Sequence, residues 1–388
     1  MGYRFSLDDV TFLRSAAGRD ALARCAELTL SESSWLADVA RARARVGVEH
    51  AAAVLETVLL RRKARGKLAD PGQWLLTDDA LQQASAYPVA RHRARRLAGR
   101  DVHDVTCSVG ADLVALAAVA DRCVGSDVDP VRLAMAEHNC ARAGARAWLL
   151  RADALRPVSR SAVVVADPGR RDSRGHRTWR PADFVPALDA LAGTYAGRDL
   201  VVKCAPGIER DAVPWADEVE IVSLDGQVRE SCLWSGELAT TGRRASVLRG
   251  DGSVTTVTDA ESSEAQVREP GEWIVDPDGA IVRAGLVRQY AARHGLGQLD
   301  HRIAYLTGDT PPPGVRAFRV LEHGKYSEKA LRAALRRRQV GRVEILVRGL
   351  DVDPSRLRPR LRLNGPREAS VVLTRIGSTP TAFVCHAE

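Results

Sequence analysis

At 388 residues the chain is longer than one ordinary hydrophobic core, and its length predicts two or three domains. Apolar residues at 45% supply material for burial, while 57 Lys and Arg against 49 Asp and Glu leave a net charge of +8, compatible with a polyanionic partner and equally with an arginine-rich coding bias. Seven cysteines, Cys25, Cys107, Cys123, Cys140, Cys204, Cys232 and Cys385, form no Cys-x-x-Cys pair or Cys/His cluster, and no run of about 18 uncharged apolar residues occurs, so zinc, disulfide-framework and membrane-spanning classes are not expected. With no apolar signal core in residues 1–10, the expected setting is a soluble, reducing cytoplasm, with no metal and no membrane partner.

From residue 7 to about residue 97 the pattern is helical. Ser31 and Thr77 read as helix starts, and Leu55, Val58 and Leu59 mark an apolar face ahead of the basic run 61–67. An N-terminal helical domain, residues 1–97, is predicted, either covering one side of a sheet or helping to hold substrate. Residues 102–106 then read as a strand ending in the tight turn Cys107-Ser108-Val109-Gly110, with a helix over 111–120. Backbone that passes close under a ligand needs small residues, and Thr106, Ser108 and Gly110 sit at alternate positions after Asp104.

A second strand, 122–127, ends at Asp127, with Pro130 opening the next helix and Gly144 closing it. Asp127 stands about 20 residues beyond Asp104, the separation at which a second strand delivers an acid to a ribose hydroxyl pair; Asp129 competes for that role. A third strand, 147–150, leads to Asp153, and a fourth, 162–166, to Asp167-Pro168-Gly169-Arg170-Arg171-Asp172. All four acid-bearing turns would open on one edge of a parallel sheet.

A helix is predicted over 182–195, a fifth strand at 199–204, a sixth at 219–223 and a seventh at 245–248, with 254–257 pairing back as a hairpin. This makes a second domain of residues 98–258, and the polar stretch 258–272 reads as a linker. A helix over 280–294, a short strand at 303–306, a break at Pro311-Pro312-Pro313, a strand at 317–321, a helix over 327–338 and strands at 343–347 and 371–374 predict a small C-terminal α+β domain, residues 259–388. The helix over 327–338 has Leu331 and Leu335 on one face and Lys329, Arg332, Arg336 and Arg337 largely elsewhere, a face that could track phosphates or simply be solvated.

A dinucleotide enzyme would prefer Gly-x-Gly-x-x-Gly with a helix N-terminus free for a pyrophosphate, but the corresponding residues here are Ser108, Gly110 and Leu113. A cofactor without phosphates fits better. The order Asp-x-Thr-x-Ser-x-Gly, an acid after strand two, Ala-Asp after strand three and Asp-Pro-Gly after strand four resembles the class I S-adenosylmethionine-dependent methyltransferases over roughly 100–250. Asp167-Pro-Gly-Arg-Arg-Asp172 followed by 201–207, together with 74–77, 81–85 and 89–93, is similar to a bacterial subgroup that couples such a domain to a C-terminal THUMP-like domain. The likeness then spans nearly the whole chain. It implies a Rossmann-like seven-stranded methyltransferase sheet of α/β class flanked by the helical and α+β domains, S-adenosyl-L-methionine as cofactor, and methyl transfer to RNA, tRNA or rRNA. Protein or small-molecule methylation and a catalytically silent RNA-binding role are the alternatives.

Within that resemblance, Asp104, Thr106, Ser108 and Gly110 are expected at the cofactor's amino-acid end, Asp127 at the ribose, Asp153 at the adenine amine and Asp167 beside them, since ionised carboxylates are pure acceptors. Each acid alone could equally be a loop or helix-cap residue. Asp167-Pro168-Gly169-Arg170 occupies the position where enzymes that methylate exocyclic amines carry Asn/Asp-Pro-Pro-aromatic. Asp167, Pro168 and Arg170 are therefore the catalytic candidates, with a guanidinium in place of the stacking ring. Arg170 and Arg171 could instead pair with nearby acids, and Trp179 could stack on a base or pack as a lid. Cys204 stands where 5-methyluridine enzymes carry a nucleophilic Cys-Asn-Pro, but Cys204-Ala205-Pro206 lacks the Asn, and a small buried thiol is the other reading.

Overall fold

The computed structural model describes residues 3–160, 162–169 and 180–387. They form two compact units, one holding Met1–Leu224 with Arg229–Thr240, the other holding most of the chain from Val254 onward with Asp225–Val228 and Thr241–Arg249.

The first unit begins with four helices, α1 (Leu7–Arg14), α2 (Ala16–Ala26), α3 (Trp35–Val46) and α4 (Val48–Lys63), followed by α5 (Asp78–Gln83) and α6 (Tyr87–Arg95). Ser6 and Asp9 close a capping box at the start of α1, and Thr77 caps α5 through Ala80 N–H, each satisfying helix-end donors that would otherwise lack partners. Ala51, Val54, Leu55 and Val58 of α4 are buried with Trp74, Leu75 and Leu76.

The sheet of this unit follows as β1 (Asp101–Asp104), α7 (Ala111–Ala117), β2 (Arg122–Asp127), α8 (Pro130–Arg142), β3 (Trp148–Arg151), β4 (Val163–Ala166), α9 (Leu188–Thr194), β5 (Leu200–Cys204), β6 (Glu218–Leu224) and β7 (Gln227–Trp234). Strand order is β3-β2-β1-β4-β5-β7-β6. The first five strands are parallel and β7 runs antiparallel to β5. Short parallel strands joined by crossovers bring all their C-terminal ends to one edge, and the acid-bearing turns gather there. Met135 of α8 is buried in the same apolar cluster as α1, α2 and α4. Fully buried Asn139 adds polar stitching: Oδ1 accepts from Leu75 N–H at 2.8 Å, and Nδ2 donates to the carbonyls of Leu75 and Val109 at 2.8 Å each. The helical layer is thereby tied to the turn after β1.

One strand assignment from the sequence is corrected. Segment 245–248 lies in β8 (Arg243–Leu248), which pairs with β9 (Val254–Thr258) as the expected hairpin, whereas the strand beside β5 is β7. Strand β7 is entered through the Asp225-Gly226 turn, both residues at positive φ, 50° and 74°. It escapes a hydrophobic-pattern reading because its buried positions include Glu230 and Ser231, and Glu230 is held by Ser85 and Arg93 rather than by apolar packing.

The second unit continues with β10 (Trp273–Asp276), α10 (Gly279–Arg283), α11 (Val287–Arg293), β11 (Gly297–Asp300), β12 (Ile303–Gly308), β13 (Arg316–Lys325), α12 (Glu328–Arg337), β14 (Val340–Val347), α13 (Pro354–Leu361), β15 (Arg367–Ile376) and β16 (Thr379–Ala387). Its seven-stranded sheet has the order β11-β12-β10-β13-β16-β15-β14, so the last strand sits inside the sheet. Strands β10, β11 and β16 add to the small α+β pattern expected from sequence. Leu331, Ala334 and Leu335 of α12 are buried, while Lys329, Arg336 and Arg337 are exposed.

Candidate cofactor and active site

A cavity of about 580 Å³ opens at the C-terminal ends of β1, β2 and β4. Asp104, Thr106, Ser108, Asp127, Asp153 and Asp167 all line it. A larger cavity of about 720 Å³ lies around Asp101, Val163 and Leu200, at the opposite ends of the strands, where none of these turns reaches. Gly110 and Pro168 do not line the 580 Å³ cavity. Gly110, at φ 84°, caps α7 and donates to the Cys107 carbonyl at 2.8 Å; an added Cβ would meet Ala136 Cβ at an ordinary 3.4 Å, so the left-handed backbone is what calls for glycine. It shapes the turn. Pro168 is buried. Arg170, Arg171, Asp172 and Trp179 lie outside the described residues.

Hydrogen bonds weld the turns together. Asp127 Oδ2 accepts from Ser108 N–H at 3.0 Å and its Oδ1 from Asp129 N–H at 2.9 Å, joining the end of β2 to the turn after β1, where Ser108 holds φ 49°. Thr106 N–H donates to Asp104 Oδ1 at 3.1 Å, and Thr106 Oγ1 accepts from Asp167 N–H at 2.6 Å, joining β1 to β4. Asp153 Oδ1 accepts from Leu155 N–H at 2.9 Å. Asp129, the competing ribose candidate, instead caps α8 through Val131 and Arg132 N–H at 2.8 and 3.2 Å, and does not line the cavity. Cys204 is buried and does not line it either.

Four charged residues of the site had not been singled out in the sequence. Lys203, next to last in β5 and 5% exposed, places Nζ in contact with Asp167 Oδ2, 2.9 Å from the Gln83 carbonyl and 3.7 Å from Asp112 Oδ2. Arg93 of α6, 3% exposed, pairs with Glu230 at 3.0 Å and Asp112 at 3.4 Å and donates to Ser85 Oγ at 2.9 Å; Ser85 in turn donates to Glu230 Oε2 at 2.9 Å. The signal was present: a lysine in the apolar run Leu200-Val-Val-Lys-Cys204 and a glutamate in β7 are charges at strand positions that only a partner makes tolerable.

Burial, with Asp112 and Asp167 nearby, pushes the Asp104 carboxyl up from 3.8 to about 8. The folded chain thus holds a proton that the unfolded chain releases near pH 4, and this contribution makes stability fall as pH rises from about 4 to about 8. In Asp104→Asn that slope is expected to flatten, so the variant gains on the parent between pH 5 and pH 8 in urea unfolding. Parallel curves for the two proteins would show that Asp104 is already ionised.

Among the described lining residues, Asp79, Asp112, Asp127, Asp153 and Asp167, beside an Asp104 that keeps its proton to about pH 8, face one cation, Arg132. Asp112 Oδ1 is buried without a hydrogen-bond partner. Such a wall suits a nucleoside with a positive charge and rejects a pyrophosphate. Fold and cavity together define an α/β enzyme for a nucleoside cofactor that lacks phosphates.

Two uncharacterized S-adenosylmethionine-dependent methyltransferases of Mycobacterium tuberculosis, from strains CDC 1551 / Oshkosh and ATCC 25618 / H37Rv, are each 56% identical to the chain over 359 residues, covering 89% of it and 99% of the relative. A crystal structure assigned to a methyltransferase of Porphyromonas gingivalis W83 matches with a TM-score of 0.73 over 99% of both chains at 19% identity, a likeness of fold. The THUMP domain-like family matches residues 315–387, and a domain family of unknown function matches residues 6–64. The chain belongs to the S-adenosylmethionine-dependent methyltransferases of class I and carries a THUMP-like C-terminal region. Its cofactor is S-adenosylmethionine. Among the described residues no helix is long and apolar enough to cross a membrane, and no cluster of three His, Cys, Asp or Glu could hold a metal ion.

Proposed function

We propose that this methyltransferase modifies a nucleotide of RNA, tRNA or rRNA, in the cytoplasm. The observation that carries the reading is the THUMP-like region, whose helix α12 exposes Lys329, Arg336 and Arg337. Part of this positive charge is internally neutralised: Arg337 and Arg338 pair with Glu322 at 3.1 and 2.8 Å, and Arg332 with Glu328 at 3.0 Å. Lys329 and Arg336 therefore contribute most to a phosphate-tracking face. Residues 1–97 would support the cofactor turn, residues 98–258 hold S-adenosylmethionine and residues 259–388 grip RNA.

Within the cavity, Asp127 would accept from the ribose hydroxyls, Asp153 from the adenine amine, and Asp104, Thr106 and Ser108 would border the amino-acid end, with Gly110 shaping their turn. Asp112, with an acceptor to spare, joins that end. Asp167, with Pro168 and Arg170 following it, would meet the substrate. Methyl transfer needs in-line placement of the nucleophile more than it needs acid–base chemistry. The test is transfer of a radiolabelled methyl group from S-adenosylmethionine, with hypomodified RNA and cell protein supplied side by side. Label in RNA is the expected outcome; label only in protein or small molecules would overturn the reading.

A further inference from the structure

A third cavity, of about 530 Å³, is lined entirely by residues of the second unit, where the ends of β8 and β10, helix α11 and the loop 312–315 before β13 converge. Only Val315, Arg316 and Arg348 of its wall fall within the segment that matches the THUMP-like family.

Its charge is the reverse of the cofactor cavity's. Arg249, Arg316 and Arg348 line it against Asp276 and Asp278. Each guanidinium is held in place before any ligand arrives. Arg348 lies 4.6 Å from the centre of the Tyr305 ring and pairs with Asp276 at 2.7 Å, and Arg316 lies 5.2 Å from the centre of the Phe318 ring and pairs with Glu344. Arg249 donates to the Gly314 carbonyl and packs so close to that glycine that an added Cβ would stand 3.3 Å from three guanidinium atoms. It pairs with no acid among the described residues. Asp278 is engaged elsewhere, accepting from Ala280 N–H at 2.8 Å where α10 begins. The charge left over is positive and centred on Arg249. Guanidinium forks set in advance match a phosphate, and a ligand loses little in ordering them.

The rest of the wall suits a flat organic body. Pro277, Pro312 and Pro313 supply stiff apolar surface. Tyr290 is 5% exposed, its ring lies 4.5 Å from that of His294, and its hydroxyl has no hydrogen-bond partner among the described residues. Burial pushes this phenol up to about 12 against the pull of Arg249 and Arg293, so it stays a donor. A hydroxyl so placed gains from a ligand that takes its hydrogen bond. The volume is close to the 580 Å³ that must accept the nucleoside and amino-acid tail of the cofactor.

We propose that this cavity binds a nucleoside monophosphate, with its phosphate on Arg249 and the neighbouring arginines, its base against the prolines and a polar edge on the Tyr290 hydroxyl. The nucleotide is either free in solution or one residue of an RNA strand. The inference goes beyond the RNA reading and stands apart from it, since a free nucleotide binds whether or not RNA is methylated.

The test is calorimetric titration of the full-length protein, saturated with S-adenosylhomocysteine so that the cofactor cavity is filled and nothing turns over. The probes are the 5′-monophosphates of adenosine, guanosine, cytidine and uridine, short oligoribonucleotides, and inorganic phosphate. At least one mononucleotide or oligonucleotide is expected to bind with a Kd below about 1 mM, weakened at least about tenfold by Arg249→Gln and about threefold or more by Tyr290→Phe, while affinity for S-adenosylmethionine stays within about twofold. Binding of a mononucleotide identifies the free nucleotide as ligand; binding of oligonucleotides alone, lost through the same two substitutions, identifies an RNA strand. Inorganic phosphate binding as tightly as the nucleotides would overturn the proposal, as would nucleotide binding that neither substitution alters, or no binding of any probe. Tyr290→Phe keeps the buried ring, so it decides should Arg249→Gln fail to fold.

Discussion

Arg93→Met is expected to lower the unfolding free energy of the first unit by about 3–5 kcal/mol, as for other buried pairs deprived of one partner. Methionine keeps the length and loses the charge. Buried Glu230 and half-buried Asp112 would then remain without Arg93, and Ser85 would lose its donor at 2.9 Å. Burial already holds Glu230 above its ordinary range even with Arg93 present, and losing Arg93 pushes it further toward the neutral acid. Urea unfolding at pH 7 measures the loss. Adding Glu230→Gln should recover more than about 1 kcal/mol, because neighbours in one charge network are not additive. A midpoint unchanged by Arg93→Met would mean that the cluster is not formed in solution.

The second large effect concerns cofactor affinity. Asp127→Ala is expected to weaken S-adenosylmethionine binding at least about 30-fold, roughly 2 kcal/mol, the scale of a lost charge-assisted hydrogen bond. The carboxylate has two tasks: it anchors Ser108 N–H at 3.0 Å in a turn held at positive φ, and its remaining lone pairs face the cavity. Asp129→Ala supplies the contrast, since that acid caps α8. It should cost about 1 kcal/mol of stability and leave affinity within about twofold. Calorimetric titration of the two variants separates the roles, and equal losses of affinity would remove the ribose assignment from Asp127.

The positions of these acids were legible because of how a parallel sheet is built. Each strand–helix crossover returns the chain to the same starting edge, so residues that follow successive strands in sequence become neighbours in space. Asp104, Asp127, Asp153 and Asp167 needed no knowledge of tertiary contacts. Lys203, Arg93 and Glu230 did, because each has partners on other elements and reads alone as an anomaly in an apolar stretch. The same cause hid β7, whose buried carboxylate broke the hydrophobic pattern and left 245–248 to be taken as the sheet's last strand. Gly110 was correctly seen as a turn residue, yet its left-handed backbone at φ 84°, rather than a place on the cavity wall, explains the lack of a side chain.

The late arrival of β7 also has a consequence in time. Ser85 and Glu230 are 145 positions apart, roughly 7–30 s of synthesis at about 5–20 residues per second. Arg96 waits in the same way for Glu218, 122 positions downstream. A growing polypeptide therefore carries Arg93, with Asp112 as its one early partner, and half-buried Arg96 before either glutamate has left the ribosome. A release factor acting between residues 168 and 230 would yield a fragment that has the acids Asp79 to Asp167 of the cofactor cavity and no Glu230 to pair with Arg93.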